Sequence, residues 1–172
     1  RITGFRTAMT GEVYAVLRQH SILGAQMTTP EPAASASAAA DAGSNAAFDL
    51  GLATSRSTGG LLNHLFSVRA RHLFGELPGA AESADYLSGL LIGHELQGLL
   101  APDNSLTQQV HLIGSSTLMQ RYQHALHSLG IKARMHTEGL VTRGLSALAR
   151  RCVPHGNQLD KLHGMPSRGS AA

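Results

Sequence analysis

A short apolar run, Val110-His111-Leu112-Ile113, stops at Gly114-Ser115-Ser116, and an amphipathic pattern begins directly behind it. That is the order of a strand, a tight turn and a helix N-terminus. The first turn of a helix presents N–H groups without intrahelical partners and the positive end of the dipole, so such a turn can receive an anion such as a phosphate. The plain alternative is a cap, since Gly turns tightly and Ser is a common N-cap residue. Thr10-Gly11-Glu12 sets a hydroxyl, a glycine and an acid where a β-like stretch passes into a helix. It too reads equally as a cap with a first-turn acid. Arg69 and Arg71 form a third candidate group. Arg69 falls on the apolar stripe of its expected helix, where an unpaired guanidinium would be costly. It must pair or snorkel there, or else recognise a carboxylate or phosphate in bidentate fashion.

Other chemistries find less support. Of ten histidines, His94-Glu95 begins like a zinc-protease motif, but Gly98 stands where the second His must be. His124 and His127 are spaced i, i+3 with no acidic or Cys partner near them in sequence, and Cys152 with His155 is a lone pair, so packing or surface histidines are expected. No nucleophile elbow, P-loop or dinucleotide fingerprint is present. The net charge of +3 is not organised into a basic stripe with interleaved aromatics, which argues against nucleic acid and suits a small anionic substrate. The single cysteine excludes an internal disulfide and fits a reducing, cytoplasmic setting. Its place in the series Val141, Leu145, Leu148, Cys152 predicts a buried thiol. The run from Tyr86 to Leu100 is too short and too polar to span a bilayer, so no membrane partner is expected.

The elements that must position these residues follow from periodicity. A strand is expected within 2–9, then a helix with Val13, Val16, Leu17, His20 and Leu23 on one face and Gly24 as its stop. Residues 25–47 are Ala/Ser/Pro-rich and read as a mobile insertion, with an Ala-rich helix as the competing reading. Helices are expected over 48–56, over 60–74 with Leu61, Leu62, Leu65, Phe66, Arg69 and Leu73 inward, and over 80–100. In the last of these, Gly89 and Gly93 clear one flank for close approach by a backbone or a ligand. Strand 110–113, helix 115–129 with Gly130 behind it, strand 131–136 and a helix over about 138–151 complete a β-α-β-α unit, which implies a parallel pair. Residues 153–172 lack periodicity and read as a disordered tail behind a 1–152 unit.

Four segments taken in order resemble the C-terminal lobe of 2-dehydro-3-deoxygalactonokinases. They are Phe5 to Leu17 with His20 to Leu23, Leu65 to Arg71, Asp85 to Leu96, and Leu112 to Ser115. The resemblance implies an α/β lobe of the actin-like, ribonuclease-H-like sugar-kinase fold, with a small, mostly parallel sheet flanked by helices and ATP held between two lobes. It implies phosphorylation of 2-dehydro-3-deoxy-D-galactonate at its terminal 6-hydroxyl from Mg²⁺-ATP, a step of D-galactonate breakdown. Gly114, Ser115 and Ser116 match the turn that lies against the adenosine part of the nucleotide. Thr10, Gly11, Glu12, Arg69 and Arg71 are the candidates for the anionic sugar acid.

The family's N-terminal lobe, where the phosphate-binding hairpin and the catalytic acid are expected, has no counterpart here. Nor has the Gly-Thr-His segment that precedes the strand at Ile2. Phosphoryl transfer depends on positioning and charge stabilisation, so half a cleft is expected to be inactive alone. The alternative is a non-catalytic truncated lobe that serves packing or assembly. Self-association is expected from exposed sheet edges and apolar surface.

Overall fold

The computed structural model describes residues 5–27, 38–99, 109–137 and 139–152. Helices α1 (Thr10–His20), α2 (Ala38–Ser55), α3 (Gly60–Leu73) and α4 (Ala80–Leu99) precede strand β1 (Val110–Ile113), helix α5 (Ser116–Ser128), strand β2 (Ala133–His136) and helix α6 (Gly139–Cys152). The result is α/β, with a two-stranded parallel sheet flanked by helices.

α4 is the axis. It is buried on every side from Ser83 to Gly93, which explains why its apolar residues form no single stripe. Tyr86, Leu87 and Leu90 face a cluster with Leu23, Met27, Val68 and Leu77. Ile92 and Leu96 join Phe48, Leu52, Ala125 and Leu126 in a second cluster, completed by Val110, Leu112 and Ala133 from the inner face of the sheet and by Ile131 just ahead of β2. α2 crosses α4 at the glycines. A Cβ on Gly89 would fall inside van der Waals contact with the Phe48 carbonyl, and one on Gly51 would meet the carbonyl of Tyr86. The cleared flank of α4 therefore receives a backbone.

In the sheet, the register runs from Val110↔Ala133 to Ile113↔His136. α5 ends as its sequence predicts. Gly130 adopts φ 73°, its N–H bonds His127 O at 2.9 Å, and the Ile131 N–H bonds Leu126 O at 2.9 Å. This Schellman closure aims the chain into β2.

Four expectations need correction. Residues 5–9 form no strand: β1 and β2 pair with each other, and this segment is held instead by Arg6 Nη1 donating to Gly98 O at 3.1 Å. Residues 38–47 are not a linker but the first half of α2, an Ala-rich stretch continuous with a segment whose Phe48 and Leu52 are core. Residues 28–37 and 153–172 lie outside the described residues, as do residues 1–4.

α3 is rotated relative to its apolar stripe. Leu62 and Phe66 are 84% and 62% exposed, while His64 and Val68 are buried. Polar bonding selects that face: His64 bonds to Ser57 and His94, and Ser67 Oγ lies 2.7 Å from Tyr86 Oη. The apolar series of α6 is likewise exposed at Val141, Leu145 and Leu148, which overturns the expectation of burial for these three, while the Cys152 side chain lies outside the described residues. Among the described residues, no helix is long and apolar enough to cross a membrane.

Candidate functional site

The chemistry gathers around one carboxylate, Glu95, near the end of α4. Its Oε2 accepts from Thr10 Oγ1 at 2.5 Å and from Tyr122 Oη. Thr10 opens α1 and Tyr122 lies in α5, so Glu95 ties three helices together. On one side of this junction is a cavity of about 340 Å³ with Ser88 and Leu91 of α4 as its floor. Thr10, Gly11 and Tyr14 of α1 form one wall, and Ser115, Thr117 and Arg121 form the other. Its size lies within the range of small-ligand pockets, roughly 300–1,000 Å³. On the far side a second cavity of about 470 Å³ is lined by Arg6, Met9, Thr10, His94 and Glu95 among others.

The structure brings two of the three predicted groups together. Ser115 and the Thr10-Gly11 pair face each other across the smaller cavity. Neither hydroxyl acts as the expected cap. Ser115 is the N-cap of α5 with extended backbone (φ −65°, ψ 146°), yet its side chain makes no capping bond. Its carbonyl accepts the Met119 N–H at 2.9 Å. The hydroxyl of Thr10 turns instead to Glu95, 85 residues away in sequence. Gly11 leaves its part of the wall open, since a Cβ there would meet nothing within 4 Å. Gly114 and Ser116 flank Ser115, and Glu12 is an exposed first-turn acid of α1 outside the wall.

Arg69 and Arg71 line neither cavity. Arg71 pairs with Glu76 and lies 5.5 Å from the Tyr86 ring centre, so its charge is engaged locally. The half-buried Arg69 follows the rotation of α3 away from the expected stripe.

Sequence reasoning missed Glu95 and the pair formed by Arg121 and Asp85. The His94-Glu95 dipeptide is informative only for metal binding when read locally, and its carboxylate finds its partners across the fold. Among the described residues, no group of three or more His, Cys, Asp or Glu could hold a metal ion. A Mg²⁺ ion carried on nucleotide phosphates would need no such cage. The smaller cavity is lined by the hydroxyl-bearing Ser88, Ser115 and Thr117 and by Arg121, a set of donors that fits a polar or anionic ligand.

Behind the larger cavity, His64 Nε2 lies 3.1 Å from the Thr58 carbonyl, and its Nδ1 lies 3.0 Å from His94 Nε2. A carbonyl only accepts, so His64 carries its proton on Nε2 and its Nδ1 accepts from His94. Burial, and then the neighbouring His64, lower the His94 pKa below its usual 6.5. The sign follows by linkage. His94 is held neutral in the fold while the unfolded chain takes up a proton, so stability is complete above 6.5 and falls as the pH drops through the folded value. Thermal melts scanned downward from neutral pH should lose stability in this range, and His94→Gln should flatten that loss. An unchanged slope in the variant would assign the acid sensitivity elsewhere.

A parallel strand pair lies among helices, and two helix N-termini converge on one cavity, which makes the fold an α/β lobe with a ligand-sized space between helix ends. The structural likeness is to a crystal structure from Sinorhizobium meliloti, provisionally named a 2-dehydro-3-deoxygalactonokinase protein. The TM-score is 0.63 at 39% identity, covering 88% of this chain and 48% of that one. The model of the family described as 2-keto-3-deoxy-galactonokinase matches residues 1–148, and the chain belongs to that family. It is 35% identical over 133 residues to the 2-dehydro-3-deoxygalactonokinase of Escherichia coli K12, covering 76% of this chain and 40% of the relative. It is 39% identical over 156 residues to a probable 2-dehydro-3-deoxygalactonokinase of Rhizobium meliloti strain 1021, covering 90% of this chain and 48% of the relative. The chain thus spans less than half the length of these relatives.

Proposed function

We propose that this chain supplies the nucleotide-side lobe of an actin-like sugar-acid kinase. The reaction is ATP-dependent phosphorylation of 2-dehydro-3-deoxy-D-galactonate at its 6-hydroxyl. The observation that carries this reading is the cavity between the N-termini of α1 and α5, where Ser115 stands opposite Thr10 and Gly11. ATP supplies the transferable phosphoryl group, with Mg²⁺ on its phosphates. Gly114, Ser115 and Ser116 seat the adenosine end, while Thr10 and Gly11 bound the opposite side of the same space. The α5 N-terminus adds N–H groups and a positive dipole end, which favour an anionic ligand. Of the two arginines suggested for the sugar acid, Arg69 is the better candidate because Arg71 is paired with Glu76. The groups that take the acceptor proton and grip the γ-phosphate belong to the part of the relatives that this chain does not span.

Calorimetric titration of Mg²⁺-ATP tests the reading on two proteins: the 172-residue chain, and the same chain joined to the N-terminal part of the Rhizobium meliloti relative. Nucleotide binding by both is expected, with ADP formed from the keto-sugar acid only by the joined protein. Robust turnover by the chain alone would refute the division of labour. Failure of both proteins to bind ATP would refute the site.

A further inference from the structure

The larger cavity, about 470 Å³, has no part in the nucleotide reading, and one arginine lines it. Arg6 lies on the segment ahead of α1 and is exposed, so a ligand can reach it. Its Nη1 donates to the Gly98 carbonyl at 3.1 Å, which tethers the guanidinium to the C-terminal end of α4. A neutral carbonyl leaves the charge in place, and among the described residues no carboxylate pairs with Arg6. A guanidinium has five N–H donors in a rigid fork that matches a carboxylate. His94, also on the wall, is held neutral by burial at neutral pH and does not compete for an anion. Arg69 and Arg71 line neither cavity, so the cation in place is a third arginine that sequence patterning passes over.

The order of groups along α4 sets which way round a ligand lies. Ser88, Leu91 and Ile92 line the smaller cavity, Glu95 stands at the junction, and Gly98 holds Arg6. Glu95 and Gly98 are three residues apart, on one face of the helix and about 4.5 Å apart along its axis. A ligand carboxylate is attracted by Arg6 and repelled by Glu95, whereas ligand hydroxyls can donate to Glu95. Thr10, bonded to Glu95, lines both cavities, so the Glu95 end is the one nearer the nucleotide. We infer that the larger cavity receives the sugar acid, with its carboxylate on Arg6 and its hydroxyl-bearing end toward Glu95 and Thr10. The carboxylate and the terminal hydroxyl are opposite ends of the acid, so this orientation carries the hydroxyl toward the nucleotide. Arg6 is then the residue that selects an acid over a neutral sugar. This rests on the kinase reading given above.

The test is a set of calorimetric titrations of the 172-residue chain with three ligands. They are ATP, 2-dehydro-3-deoxy-D-galactonate, and the neutral analogue of that acid in which the carboxylate is reduced to a hydroxymethyl group. The acid and its analogue are titrated again into Arg6→Gln, which removes the charge. Arg6→Met, which keeps an unbranched stem without the charge, serves if the glutamine variant fails to fold. Circular dichroism melts check the fold of each. The native chain should bind the acid about 10-fold more tightly than the analogue. In the variant the acid should weaken by about the same factor and the analogue should lose nothing, so that the preference disappears. Equal binding of acid and analogue by the native chain overturns the inference, as does unchanged affinity for the acid in a folded variant. Binding of ATP but not of the acid overturns it while leaving the nucleotide site standing. Binding of neither removes the kinase reading as well.

Discussion

Gly89→Ala should destabilise the chain by about 3 kcal/mol, lowering the melting temperature by roughly 6–12 °C. Helix propensity alone predicts the opposite, since alanine is favoured over glycine by about 1 kcal/mol inside a helix. Packing wins because the new methyl would overlap the Phe48 carbonyl and crowd the Leu52 nitrogen, and both are backbone atoms of α2. Neither can move without shifting α2 as a body, and with it Phe48 and Leu52 in the second core cluster. The same change at Gly98, also in α4, meets nothing within 4 Å. It should be neutral or stabilising by a few tenths of a kcal/mol. Circular dichroism melts of the two variants provide the check. Equal behaviour would mean that α2 does not approach α4 at Gly89.

Elements written in local periodicity were legible before the structure. β1 occupies the predicted residues, α4 and α5 fall within a residue of their expected ends, and Gly130 closes α5 as a left-handed C′ residue. Each is decided by contacts within a few residues or by a backbone conformation that glycine tolerates. Orientation proved less legible. The apolar stripe of α3 suggested which side faces inward, but His64 and Ser67 turn the polar side to the core because their partners stand there. A buried polar group must be bonded, whereas an exposed leucine is tolerated, so hydrogen bonding can overrule hydrophobic patterning.

The candidate site divides in the same way. The Ser115 turn was legible as strand, turn and helix N-terminus. The partners that give it meaning are remote: Thr10 reaches Glu95 across 85 residues, and Arg121 reaches Asp85 across 36. No spacing rule operates at such separations. Glu95 in particular looked like half of a zinc motif, because the local pattern gives no sign that its oxygen is shared by two hydroxyls from other helices.

That shared oxygen leads to the second large effect. Glu95→Leu leaves the hydroxyls of Thr10 and Tyr122 without their acceptor and should cost about 2 kcal/mol, after allowance for the partial exposure of the site. It should also weaken nucleotide binding, because the same two residues line the α1–α5 cavity. Glu95→Gln separates charge from hydrogen bonding. Its amide oxygen can still accept, but the charge-assisted part of both bonds is lost. The phenol of Tyr122 reports the difference. Burial, the hydrogen bond to Glu95 and the Glu95 charge raise its pKa above the ordinary 10.0, while its hydrogen bond with Thr10 acts in the opposite direction. A raised phenol pKa means that the fold holds a proton the unfolded chain releases. The associated stability is therefore complete below 10.0 and is lost as the pH climbs beyond it. In Glu95→Gln the charge is gone and burial remains, so one tyrosinate transition in the ultraviolet should move to lower pH and the alkaline loss of stability should shrink. Tyr122→Phe should remove that transition altogether. If the tyrosinate titration of Glu95→Gln overlays that of the native chain, Glu95 is not the group that holds α1 against α5.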